Sequence, residues 1–165
     1  MPEGPDVFQP LWRPGGYNDR GMHYERAISA LGVSGDVHDS LVREAVGAFP
    51  DECCGVLGGR RGRAERVYSV PNAALSRRTR YEMAPSELWA AQRRVRHDGL
   101  EVFGFYHSHP RTSPVPSAYD IEHAYYPDTL YVIVGVEPRP SVKAYRITGG
   151  CIEEVAVTIG YSHDD

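Results

Sequence analysis

Apolar positions along the chain switch between two periods, and the switches mark out its elements. Leu41, Val42, Ala45, Val46 and Phe49 recur at helical spacing and predict a helix over residues 37–49, which Pro50 must end. Residues 53–59 read as a buried strand rich in glycine, 60–63 as a turn, and 64–70 as a second strand with alternating character. A loop over 71–80 leads to a short strand at 81–83. Pro85 then opens a helix with Leu88, Ala91 and Val95 on one side, closed by His97-Asp98-Gly99. Residues 101–106 predict a strand, 120–124 a short helix, and 129–136 a core strand. Residues 141–147 and 152–159 form a hairpin around Gly149-Gly150. Strands mixed with three helices, without strict alternation, place the chain in the α/β class, with a mixed β-sheet flanked by helices on both faces.

The first stretch differs. Residues 1–35 hold ten Gly or Pro without period, and only 22–31 show helical spacing of apolar positions. They read as a mobile N-terminal extension, with a domain over 36–160 and a short tail over 161–165. Met1-Pro2-Glu3-Gly4-Pro5 resembles the start of formamidopyrimidine-type DNA glycosylases, but nothing after Pro5 continues that match.

The candidate chemistry lies in residues 104–120. The strand before it delivers His107 and His109, and alternate residues of an extended chain point the same way. Both imidazoles therefore face one point, and Ser108 faces away. Three prolines carry the chain on to Ser117, placed to cap a helix, and to Asp120, whose carboxylate can turn back toward the histidines. Two imidazoles and one carboxylate make the ligand set of a catalytic zinc, with a fourth position left for water. Such a site still needs a general base.

His107-Ser108-His109-Pro110, followed by Ser117 and Asp120, resembles the motif of the JAMM (MPN-plus) metalloproteases, above all the small prokaryotic stand-alone members. The family's remaining residue is a glutamate just ahead of an upstream strand. Glu52 in Pro50-Asp51-Glu52-Cys53-Cys54-Gly55 has that position; read alone, it would be a solvated turn carboxylate. The resemblance covers residues 36–159 and implies a single MPN-type (cytidine-deaminase-like) domain. It further implies that His107, His109 and Asp120 hold one catalytic Zn2+, that Glu52 handles the water's proton, and that Ser117 steadies the oxyanion. The implied activity is hydrolysis of the amide bond after the C-terminal Gly-Gly of a ubiquitin-like, sulfur-carrier protein or its conjugate. A narrow groove suits an extended diglycine, because side chains would obstruct it. The competing readings are a non-catalytic MPN scaffold and a zinc hydrolase acting on another small amide.

Composition narrows the partners. A chain of 165 residues with 41% hydrophobic residues fills one domain, and its net charge of −4 supplies no field drawing it to nucleic acid. Three arginine-rich patches, 60–63, 77–80 and 93–96, lack interleaved aromatics for base stacking. Arg77, Arg78 and Arg80 lie in the region that borders the substrate groove of the resembling enzymes, and are candidates for receiving a partner's tail. The odd set Cys53, Cys54 and Cys151 argues against a disulfide framework and for a reducing cytoplasm. No apolar run approaches ~20 residues, so no membrane partner is expected. A homodimer is compatible with the sequence.

Overall fold

Ten elements follow one another in the computed structural model, which describes residues 30–160. They are β1 (Ala30–Ser34), α1 (Gly35–Ala48), β2 (Cys54–Arg60), β3 (Arg63–Val70), α2 (Pro85–His97), β4 (Glu101–His109), α3 (Ala118–Glu122), β5 (Leu130–Gly135), β6 (Ser141–Thr148) and β7 (Cys151–Gly160). Helix α1 begins where the Ser34 side chain accepts a hydrogen bond from the Val37 amide at 3.2 Å. It stops before Pro50, which has no N–H with which to continue the ladder. Its buried face is Val37, Leu41 and Ala45, spaced by one helical turn. At the β6–β7 turn Gly149 and Gly150 both have positive φ, 57° and 81°, as a tight hairpin requires.

The expected sheet flanked by helices on both faces is instead a closed barrel, in the order β1-β3-β2-β4-β5-β6-β7. Pairs β2/β3, β2/β4, β5/β6 and β6/β7 are antiparallel, and β4/β5 is parallel. Closure comes from β1, which lies parallel to both β7 and β3. Side chains alternate between two apolar clusters. Leu57, Leu130, Val132 and Val134 join Leu41 and Ala45 of α1, whereas Val56, Tyr131 and Ile133 join Ala91 and Val95 of α2. Strand β2 sends Leu57 into one cluster and Val56 into the other, and its remaining core positions include Gly55, Gly58 and Gly59. A Cβ added at Gly55 would overlap the Tyr106 hydroxyl and the Tyr68 carbonyl, so only glycine lets these strands approach here.

The boundary at residue 35 and the helical spacing over 22–31 both need correction where they meet β1. Leu31 and Val33 are buried in the α1 cluster, so the domain includes at least Ala30–Ser34. A five-residue strand whose partners are both parallel and remote in sequence leaves no turn signal beside it. Residues 1–29 and the tail at 161–165 lie outside the described residues. Two smaller differences concern the site. Strand β4 runs three residues past its expected end at 106, so both histidines belong to the strand itself. Over 81–83 only Met83 pairs, in a single bridge to Asn72.

Candidate metal centre

His107 and His109 are held by ladders on either side of β4. His107 lies opposite Cys54 of β2 and Ile133 of β5, and His109 opposite Gly135. Both rings therefore emerge at the C-terminal end of β4 on one face, their Nε2 atoms 3.1 Å apart. The loop over 110–116 is pinned to the barrel, since the Tyr145 hydroxyl donates to the Pro114 carbonyl at 2.6 Å. The loop delivers Ser117, the N-cap of α3. Ser117 Oγ accepts from the Asp120 amide at 3.1 Å, while the Ser117 N–H and O–H donate to Asp120 Oδ2 at 2.7 and 2.8 Å. This reciprocal cap aims the carboxylate back at the strand. Asp120 Oδ1 lies 3.2 Å from His107 Nε2, and Oδ2 lies 3.2 Å from His109 Nε2.

These three side chains are 2%, 5% and 8% exposed, so their protonation follows from each other more than from water. Burial pushes the Asp120 carboxyl up, but hydrogen bonds with His107 and His109 outweigh it and hold the group well below the usual carboxylate range. Burial pushes the His107 imidazole down. For His109 burial acts the same way, yet hydrogen bonds with Asp120 and the Ser113 carbonyl outweigh it and leave the ring raised. A carbonyl can only accept, so His109 Nδ1 carries its proton toward Ser113 O at 2.9 Å, and its Nε2 faces inward as a lone pair in the neutral ring.

The set fits a metal ion. Among the described residues His107, His109 and Asp120 are the one group of potential ligands whose donor atoms converge, all within 4.8 Å of one another. A tetrahedral ion with bonds of ~2.0–2.1 Å keeps its ligand atoms about 3.3 Å apart. The two imidazole nitrogens, 3.1 Å apart, lie close to that edge, and each is 3.2 Å from a different oxygen of the Asp120 carboxylate.

Glu52 sits in the turn between α1 and β2 and is only 6% exposed, which rules out a solvated turn carboxylate. Its Oε2 is the one buried side-chain polar atom without a hydrogen-bond partner among the described residues. Burial raises its pKa to about 7; the His109 charge lowers it and the Asp120 charge raises it. A buried carboxylate with a free oxygen, coupled to a group of potential metal ligands, is equipped to take and return a proton near neutral pH.

The backbone around Glu52 is tied on all sides. Its N–H donates to the Arg77 carbonyl at 2.7 Å, its carbonyl accepts from Asn72 Nδ2 at 3.0 Å, and the next amide, of Cys53, donates to Ser108 Oγ at 2.8 Å. Ser108 thus faces away from the two imidazoles, as strand alternation predicts, and is a fully buried residue of β4. Sequence reasoning gave no role to Asn72 or to Tyr81, whose ring stacks on His107 with centroids 4.4 Å apart. Nothing in a loop sequence indicates such contacts. Of the three arginines singled out, Arg77 Nε lies 3.4 Å from Asp51 Oδ2 and the Arg80 guanidinium covers the Tyr119 ring at 4.7 Å; Arg78 is exposed. His123 stays out of the ligand set; it stacks on Tyr119 and donates from Nδ1 to the Tyr119 carbonyl at 2.8 Å.

Residues 34–148 match the family model described as prokaryotic homologs of the JAB domain. The chain belongs to that family. The match takes in β4, its two histidines, Asp120 and Glu52 alike. Among JAB-domain relatives, a desampylase from Haloferax volcanii is 34% identical over 79% of this chain and 97% of its own. A CysO-cysteine peptidase from Mycobacterium tuberculosis is 34% identical over 80% of this chain and 92% of its own. A crystal structure of a JAB1/MPN domain protein from Archaeoglobus fulgidus superposes with a TM-score of 0.54 at 24% identity, covering 79% of this chain and 99% of the other, and shares the fold.

Proposed function

We propose that this JAB-domain protein is a zinc-dependent peptidase that hydrolyses the amide bond after the C-terminal Gly-Gly of a ubiquitin-like, sulfur-carrier protein or its conjugate. The observation that carries the reading is the buried Glu52 carboxylate, its Oε2 without a hydrogen-bond partner, within electrostatic reach of His109 and Asp120 of the converging His107/His109/Asp120 group. Relatives named desampylase and CysO-cysteine peptidase support the substrate class.

His107, His109 and Asp120 would hold the ion. Bound zinc supplies a Lewis acid that acidifies water and polarises a carbonyl. Glu52 accepts the proton of the attacking water and later returns it to the leaving amine. The C–N bond breaks, the oxygen goes to the acyl carbon, and the released amine carries the proton. Ser117 donates its O–H to the developing oxyanion. That hydroxyl points at Asp120 Oδ2 at rest, and the Ser117 N–H keeps a bond to the same oxygen when it turns. The free thiols of Cys53, Cys54 and Cys151 support a reducing compartment, and we place the protein in the cytoplasm. None of the described helices is long and apolar enough to cross a membrane.

The test is the metal content of the purified protein together with cleavage of a fusion in which a ubiquitin-fold domain ending in Gly-Gly precedes a reporter. Stoichiometric zinc and scission after the second glycine are expected. Zinc binding without cleavage of any such fusion would return the protein to the scaffold class. We assign Arg77, Arg78 and Arg80 to the approach of the substrate tail. Reversing all three charges is expected to raise KM several-fold with kcat within about twofold, as loss of an interaction common to ground and transition states does. An unchanged KM would remove these arginines from the binding surface.

A further inference from the structure

The segment from Asn72 to Met83 closes on itself, and one side chain ties its ends together. Asn72 and Met83 form an isolated antiparallel bridge, and the Ala73 amide donates to the Glu82 carbonyl at 2.8 Å. A primary amide offers two donors and two acceptor positions, and Asn72 uses all four. Its Oδ1 accepts from the amides of Ala74 at 3.0 Å and Glu82 at 3.1 Å. Its Nδ2 donates to the Arg80 carbonyl at 3.0 Å and, leaving its own loop, to the Glu52 carbonyl at 3.0 Å. The Oδ1 pair, with the Asn72–Met83 bridge and the Ala73–Glu82 bond, closes the loop. The bond to Glu52 does something else, because it fixes the peptide that carries the unpartnered carboxylate. The loop answers from the other side, with the Arg77 carbonyl receiving the Glu52 N–H at 2.7 Å. Residue 52 is therefore clamped at both its N–H and its C=O by one segment whose shape depends on Asn72.

We propose that Asn72 is a positioning residue for Glu52: its Nδ2 bond to the Glu52 carbonyl sets the direction in which the carboxylate reaches the reacting water. The proposal rests on Glu52 as the proton-transfer group. A misplacement of ~1 Å in such a group costs on the order of 100-fold in rate, and the Glu52 carboxylate has no hydrogen bond from Oε2 that would hold it otherwise.

Two variants of the full, zinc-loaded chain separate this role from loop closure. Asn72→Asp keeps the acceptor at Oδ1 and replaces the donor with an oxygen that repels the carbonyls of Glu52 and Arg80. Asn72→Ala removes both functions. With the diglycine reporter fusion as substrate, Asn72→Asp is expected to lose ~10- to 100-fold in kcat, with KM within about twofold and zinc content as in the parent. The Glu52 amide is expected to exchange with solvent on the order of ten times faster, as loss of one supporting hydrogen bond allows, while amides of β5 keep parental protection. Amide exchange reads the clamp without substrate, so it holds even for a variant of low activity. The proposal is overturned if Asn72→Asp has parental kcat and Glu52 protection, if only Asn72→Ala is impaired, or if exchange rises equally in β5. Full turnover in Glu52→Gln would instead remove the base assignment itself, a result the Asn72 variants cannot mimic.

Discussion

Glu52→Gln is expected to leave a folded protein that binds zinc but has lost turnover by ~100- to 10,000-fold, the usual contribution of a positioned general acid–base group. Zinc content and kcat on the diglycine fusion check this, and kcat within tenfold of the parent would mean that another group moves the proton. The same substitution has a signature in stability. Folding raises the Glu52 pKa from 4.5 to about 7. Between those values the folded protein holds a proton that the unfolded chain releases, so stability falls as pH rises through that window and stays reduced above it. A shift of that size corresponds to roughly 3 kcal/mol. Metal-free Glu52→Gln should therefore melt above the metal-free parent at pH 8 and close to it at pH 4. Equal melting temperatures at pH 8 would show that the carboxylate is not strained by burial.

His109→Ala should abolish zinc binding and activity together. Zinc at ~100 times its Kd stabilises a folded protein by about 2.7 kcal/mol, which raises the melting temperature of a domain of this size by several degrees. In the His109 variant, and equally in His107→Ala or Asp120→Ala, added zinc should produce no such rise. A variant that still binds stoichiometric zinc would contradict the three-ligand assignment. His109 is the most informative of the three because its Nδ1–H is also bonded to Ser113 O. The loop leading to Ser117 depends on the same ring, so changes there should extend to the α3 cap.

Features carried by short-range chemistry were legible in the sequence. The spacing His107–His109, the cap at Ser117 and the Pro50 stop are local rules, and each appears where the pattern puts it. The convergence of Glu52 with the histidines was legible only through resemblance, since residues more than fifty positions apart carry no mutual signal of their own. Barrel closure was not legible, because β1 is short and pairs with β3 and β7 across long stretches of chain. The end of β4 was misread for a related reason. The apolar run ends at Tyr106 and His107-Ser108-His109 is polar, yet Ser108 is fully buried and its backbone N–H donates to the Cys53 carbonyl at 3.0 Å. Asn72 illustrates the limit most clearly: in sequence it is one more turn former, and only the folded chain shows it bridging to Glu52.

The ring of strands is not equally strong around its circumference. Strand β1 meets β3 at only two residue pairs, Gly32 with Arg63 and Val33 with Ala64, whereas β1 and β7 share five and β2 and β3 seven. Fluctuations that unzip the barrel will begin at that seam, because fewest ladder bonds must break there. The seam is separated from β4 by β3 and β2 on one side and by β1, β7, β6 and β5 on the other. The wall can thus gape and reseal while the strands bearing the histidines keep their registration, so the catalytic geometry is insulated from the least secure joint in the domain.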